Sequence, residues 1–136
     1  YYGDEVGVTG GDDPLNRATY PWPDLGGRPD EALRAEFKRL IRLRREHAVL
    51  RHGDQRAPLF VDEHVLVQVR RLGGTWALVA TNNADAPRRV TLDLPFGSPA
   101  SGWRDALAGA ETLDGGVSRR IEIELQPLGG RVLIAR

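Results

Sequence analysis

The sequence has 136 residues with 19 basic and 19 acidic side chains. That is the size of one ordinary domain, or of one domain plus a fragment, and it excludes a large enzyme. Because the charges cancel, the bulk attraction that nucleic acid or an anionic membrane needs is absent, and neither is expected as a partner. A hydrophobic fraction of 40% with 28% charged residues belongs to a folded chain rather than a disordered one. The absence of cysteine excludes disulfides, thiolate metal sites and cysteine nucleophiles, and leaves the compartment open. Lys38 is the one lysine among the basic residues, an arginine bias we read as codon composition. With no methionine and with Tyr1-Tyr2-Gly3 at its start, the chain shows neither a start residue nor a signal peptide, and reads as a piece of something longer.

Three zones follow in chain order. Residues 1–29 carry Gly3, Gly7, Gly10, Gly11, Gly26 and Gly27 with Pro14, Pro21, Pro23 and Pro29, a density of turn formers that predicts a long loop without a long regular element. Loops of that length inside a domain commonly build a binding surface. Pro29 and Asp30 then form a helix start, and Leu33, Phe37, Leu40 and Ile41 fall on one helical stripe. The helix is expected to run to about His47, with Gly53 closing the connection. From Gln55 onward the period changes to two. Val65, Val67 and Val69 alternate with Leu66, Gln68 and Arg70, and Ile121, Ile123 and Leu125 with Glu122, Glu124 and Gln126, while Trp76-Leu78-Ala80, Val90-Leu92-Leu94 and Val132-Ile134 repeat the pattern. Breaks fall at Gly73-Gly74, Asn82-Asn83, Asp114-Gly115-Gly116 and Gly129-Gly130. The expected fold is mainly β: a loop and one α-helix over residues 1–53, followed by an antiparallel β-sandwich over residues 54–136.

Candidate chemistry concentrates in the opening loop. Asp4, Glu5, Asp12, Asp13 and Asp24 are interleaved with Tyr1, Tyr2, Tyr20 and Trp22 and with Asn16 and Arg17. Aromatic faces beside hydrogen-bonding groups suit sugar rings, and carboxylate pairs suit glycoside hydrolysis when held about 5 to 5.5 Å apart. The same acids also suit turns beside Gly11 and Pro14, and the same aromatics suit anchoring a loop to a scaffold. The three histidines do not suggest a metal: His47 and His52 are five positions apart, off the spacing that puts two ligands on one helix face, and no metal site or cofactor is expected. Arg34, Lys38, Arg42 and Arg45 form a basic stripe, but Asp30, Glu31, Glu36 and Glu46 lie within reach and no stacking aromatic accompanies it. It reads as a solvated, salt-bridged face.

The run Tyr1-Tyr2-Gly3-Asp4-Glu5-Val6-Gly7, then Gly10-Gly11-Asp12-Asp13-Pro14-Leu15-Asn16-Arg17 and Tyr20-Pro21-Trp22, resembles the stretch after the eighth barrel strand in α-amylase-family glycoside hydrolases. The likeness is to the neopullulanase, cyclomaltodextrinase and maltogenic amylase group, with amylopullulanases near it. The resemblance implies that residues 1–53 are the last loop and helix of a (β/α)8 barrel and residues 54–136 a C-terminal β-sandwich, with an α-glucan oligosaccharide as substrate. It implies that Asp13 and Arg17 bind a glucose unit on the non-reducing side of the cleavage point, and that Asp4 and Glu5 support the site wall. It also implies that the nucleophile, the acid/base and the third catalytic carboxylate lie on earlier strands, so that no catalytic residue is expected here and the missing catalytic barrel is itself a partner. The competing expectation is a carbohydrate-binding or structural β-sandwich module without chemistry.

Overall fold

The computed structural model describes residues 1–95, 102–109, 112–113 and 119–135; the expected break at Asp114-Gly115-Gly116 lies outside them. The chain divides into two compact units, Tyr1–Leu43 and Arg44–Arg136.

In the first unit the glycines and prolines permit only single turns of 3₁₀ helix, at Asp4–Val6, Leu15–Arg17 and Pro23–Leu25. The carbonyl of buried Val6 accepts the backbone N–H of Asp30 at 3.0 Å, which ties the start of the loop to the start of the helix. Asp30 caps that helix: its Oδ1 accepts the Leu33 N–H at 2.9 Å, satisfying a donor that the first turn leaves free. Helix α1 runs over Glu31–Glu46, with Glu31 in its first turn and Arg44 and Arg45 in its last, the order that complements the helix dipole. Arg34 pairs with Glu31 at 3.3 Å and Arg39 with Glu36 at 2.9 Å. Of the apolar stripe, Leu33 is half-buried while Phe37, Leu40 and Ile41 are exposed.

The second unit opens with a feature the periodicity does not announce. His47 adopts an extended conformation (φ −107°, ψ 104°), and a short helix α2 follows at Ala48–His52, where the sequence suggested only a connection. Its Val49 and Leu50 are buried, it packs on strands β3 (Val65–Leu72) and β4 (Thr75–Asn82), and the Leu50 carbonyl accepts from the guanidinium groups of Arg44 and Arg70, the latter at 2.6 Å.

The remaining strands are β1 (Asp54–Gln55), β2 (Phe60–Val61), β5 (Arg88–Asp93), β6 (Trp103–Asp105), β7 (Thr112–Leu113), β8 (Arg120–Leu125) and β9 (Gly130–Ala135). Among the described residues they form two sheets, one ordered β1-β3-β4-β9-β6-β7 with β2 also on β3, the other β5-β8, and every pairing is antiparallel. The register sets the core. Val67 faces Ala80 and Val69 faces Leu78 across β3 and β4, Leu78 faces Leu133 across β4 and β9, and Val90 faces Ile123 across β5 and β8. These side chains, with Trp76, Leu92, Leu94, Trp103, Ile121, Leu125 and Ala135, make one buried cluster shared by both sheets. The mainly β architecture with a loop and helix ahead of it is therefore as the residue pattern predicts, with one correction of face: β9 gives Leu133 and Ala135 to this cluster, not Val132 and Ile134. Those two lie on the opposite face, because a strand buried on both sides loses the alternation that would mark its inner side.

Polar groups in the second unit lock the connections between strands. Asn82 is buried; its Nδ2 donates to the Ala86 and Gln126 carbonyls, each at 2.9 Å, and its Oδ1 accepts the Ala84 N–H at 2.9 Å. Asp105 is similarly enclosed, accepting the Leu107 and Ala108 N–H groups at 2.8 and 3.1 Å and pairing with Arg131 at 2.6 Å. The outer face of the smaller sheet is charged, with Arg89 between Glu122 and Glu124 and Arg120 paired to Asp93 at 2.7 Å. The hydrogen bond to Asp93, and then its charge, raise the Arg120 pKa further. At the turn into β3, the backbone N–H groups of His64 and Val65, together with Arg88, hold the Asp62 carboxyl below the usual range.

Replacing Asn82 by Ala removes three hydrogen bonds and should destabilise the fold by about 1 to 3 kcal/mol. Asn82→Asp should cost more, since a carboxylate would face two carbonyl oxygens. Urea denaturation at neutral pH followed by circular dichroism measures both, and equal stability of the Asp variant and the parent would contradict the assigned bonds.

Candidate functional site

Of the candidate residues of the opening loop, Asp13 and Arg17 are brought together by its second turn. The Leu15 N–H bonds the Asp12 carbonyl at 2.7 Å and the Arg17 N–H bonds the Pro14 carbonyl at 3.1 Å. This folds the chain through the cis Asp13-Pro14 bond and sets Asp13 and Arg17 on one side. Gly10 lets the preceding strand of loop lie against this turn: a Cβ there would stand 2.6 Å from the Leu15 carbonyl oxygen, nearer than any side chain tolerates.

Arg17 Nε lies 2.9 Å from Asp13 Oδ1, and the two side chains are 72% and 62% exposed. They border an open concavity of about 600 Å³ lined by Tyr1, Tyr2, Asp13, Asn16 and Arg17. Tyr1 and Tyr2 meet edge to face, with ring centroids 4.6 Å apart and planes at 89°. The Tyr1 amino group donates to the Asn16 carbonyl at 2.7 Å, while Asn16 Oδ1 is buried and has no hydrogen-bond partner among the described residues.

A guanidinium and a carboxylate side by side offer fixed donors and acceptors at the rim of an aromatic-lined hollow. Such groups are chemically suited to a polyhydroxylated ring, whose hydroxyls each donate and accept and whose C–H faces are apolar. The hollow holds a single carboxylate, Asp13, whereas displacement at a glycosidic carbon needs two carboxyl groups facing each other. Asp4 and Glu5 are exposed on the Asp4–Val6 turn, flanked by Gly3 and Gly7 in the left-handed conformation, and do not line the hollow. Asp12 and Asp24 likewise stand outside it. Among the described residues no group of three His, Asp or Glu side chains is placed to hold a metal ion, and no helix is long and apolar enough to cross a membrane.

No family model matches the chain. Curated relatives do match along almost all of it. An amylopullulanase of Thermoanaerobacter thermohydrosulfuricus is 34% identical over 148 residues, which cover 99% of this chain and 9% of that protein. Neopullulanase 2 of Thermoactinomyces vulgaris is 31% identical over 140 residues, covering 98% and 22%. Among solved structures, the α-amylase of Geobacillus thermoleovorans, determined with acarbose, matches with a TM-score of 0.83 at 26% identity, over 100% of this chain and 29% of that one. The chain is homologous to α-amylase-family glycoside hydrolases. Its β-rich part matches the C-terminal domain of these enzymes, and it spans about a tenth to a fifth of the length of the curated relatives named here.

The exposure of Asp13 and Arg17 decides what the pair does for the fold. A solvated ion pair contributes about 0 to 1 kcal/mol, so Asp13→Ala and Arg17→Ala should each leave stability within about 1 kcal/mol of the parent. Chemical denaturation of the three proteins tests this, and a larger loss in either variant would make the pair a structural clamp.

Proposed function

We propose that the chain is the C-terminal part of a retaining α-glucan hydrolase acting on maltooligosaccharides, cyclodextrins, pullulan or starch. In this reading residues 1–53 are the last loop and helix of a catalytic (β/α)8 barrel and residues 54–136 a capping β-sandwich. The observation that carries it is the Asp13–Arg17 pair, aligned at 2.9 Å on the rim of a hollow edged by two tyrosines, in a chain whose relatives are amylopullulanases and neopullulanases.

Each group has a part to play. The Asp13 carboxylate accepts from one sugar hydroxyl while the Arg17 guanidinium donates to a neighbouring one, and each stays anchored to the other when the sugar leaves. Asp4 and Glu5, on the first turn, support the site wall rather than touch the sugar. The exposed Phe37, Leu40 and Ile41 of α1 are an apolar helix face for the barrel to cover. Cleavage itself belongs to carboxylates on the barrel, which would attack the anomeric carbon and protonate the leaving oxygen from opposite sides.

The 136-residue chain alone should therefore show no turnover of maltoheptaose or pullulan; product formation by the purified chain, above that of a mock purification, would overturn the assignment of chemistry to the barrel. In the full-length enzyme, Asp13→Ala or Arg17→Ala should lower kcat/KM by about 10- to 150-fold, the equivalent of one lost charged hydrogen bond of about 1.5 to 3 kcal/mol. Steady-state kinetics on maltotriose and a longer oligosaccharide measure the loss. Unchanged constants on both substrates would remove the pair from the site, and complete inactivation of a folded variant would make it part of the chemistry.

A further inference from the structure

Among the described residues, strand β5 (Arg88–Asp93) has β8 on one side and no strand on the other. Its ladder shows which backbone groups are used. The Leu94 N–H donates to the Arg119 carbonyl at 2.7 Å, and hydrogen-bonded pairs recur at every second residue of an antiparallel ladder. Leu92, Val90 and Arg88 therefore turn their backbone groups to β8, opposite Ile121, Ile123 and Leu125. Arg89, Thr91 and Asp93 turn theirs the other way, to the open edge.

An open edge is a template for another strand, and natural sheets guard it with charge and proline. Here both guards are symmetric about Thr91. Pro87 and Pro95 lie four residues to either side of it, in the alternation that faces the edge, and their missing N–H groups end any added ladder there. Between them Arg89, Thr91 and Asp93 are exposed on the outer face, while Val90 and Leu92 are buried in the core. From Thr91 outward, either direction gives an apolar residue and then a charge, and the two charges are opposite in sign. An edge of one sign would repel a copy of itself, whereas this one is complementary to its own reversal.

We propose that β5 pairs antiparallel with β5 of a second copy of the chain about a two-fold axis at Thr91, joining the two small sheets into one. Thr91 then exchanges both backbone bonds with Thr91 of the second copy, and Arg89 exchanges both with Asp93 of the second copy. By symmetry Asp93 does the same with the other Arg89, so the contact closes at two chains. Directly opposite residues of such a pair stand about 5.5 Å apart between Cα atoms, where opposite charges attract. Arg89 already lies between Glu122 and Glu124, and Asp93 beside Arg120, so the new pairs extend an alternating row of charge across the joined sheets. Arg88, on the inward side, stays with Asp62 of its own chain at 3.0 Å. Because Val90 and Leu92 are buried before any contact, association adds backbone bonds and charge rather than apolar area. It is therefore weak and sensitive to salt. The inference is independent of the α-glucan reading.

Sedimentation equilibrium of the 136-residue chain at rising concentration and low salt should show the average mass climbing from that of one chain toward that of two. Arg89→Asp makes the edge wholly acidic and Asp93→Arg makes it wholly basic, so each variant alone should lose the mass increase. An equal mixture of the two should regain it, since each edge then complements the other. Circular dichroism checks that both variants are folded. Should either fail to fold, Thr91→Cys carries the test: the chain has no cysteine, position 91 faces its own counterpart, and the Cα spacing of the pair lies within the disulfide range. Mild oxidation should link its chains faster than those of Glu122→Cys, which is exposed on β8. A mass that stays that of one chain throughout would overturn the proposal, as would equal rates of linking. Association that survives in each charge variant alone, or a mixture of folded variants that stays monomeric, would overturn the pairing at Thr91.

Discussion

The second unit depends on strand β4. It is hydrogen-bonded to β3 on one side and β9 on the other, and its inward side chains Trp76, Leu78 and Ala80 sit within the cluster that both sheets share. On its other face Ala77 is fully buried, Val79 half-buried and Thr81 exposed, and with a strand on either side its backbone groups have ladder partners rather than water. The antiparallel ladder satisfies them, and the same ladder fixes which residues of β3 and β9 reach the core, since a slip by one position would reverse every face at once. Beside the turn that closes the β3–β4 hairpin, the Arg71 guanidinium rests 5.1 Å from the centre of the Trp76 ring, extending the contact over the edge of the core.

Much of this was legible in the residue pattern because half-buried strands advertise themselves. Val65, Val67 and Val69 alternate with the less buried Leu66, Gln68 and Arg70, Ile121, Ile123 and Leu125 alternate with polar neighbours, and both sets face inward. The helix was legible too, since Pro29 and Asp30 are a start signal and Asp30 does cap the first turn. The pattern failed where its physical basis fails. In β9 the run Val132-Leu133-Ile134-Ala135 is apolar at every position, so periodicity cannot say which two residues enter the core. Helix α2 is five residues long, too short to show a period, and its existence depends on tertiary partners, among them Arg70 from a strand 20 residues away. The burial of Asn82 and Asp105 was equally unreadable, because both residue types occur far more often in exposed turns.

The loop region shows a different balance. Its motifs pointed to Asp13 and Arg17, and the structure sets them in contact at 2.9 Å, with the turn Leu15–Arg17 as the reason. Spacing by four residues outside an α-helix does not by itself bring two side chains together. It was the bonds from Leu15 to Asp12 and from Arg17 to Pro14, and the bare face of Gly10, that did so. The hollow beside the pair, and the buried Oδ1 of Asn16, are products of that folding and have no signature in composition.

Asn82 has a consequence for how the chain can change over evolutionary time. Its side chain joins the connection after β4 to the turn between β8 and β9, and the same two segments are joined again by Leu128 N–H to Ala84 and by Asn82 N–H to Gly129. Surface connections ordinarily accept extra residues at small cost. These two are cross-braced, so lengthening either one would tear bonds out of the other. The alignment to the amylopullulanase runs over 148 positions for a chain of 136, so insertions do occur between these proteins. An insertion in either of these two connections that keeps the bonds between them must be matched by a change in the other.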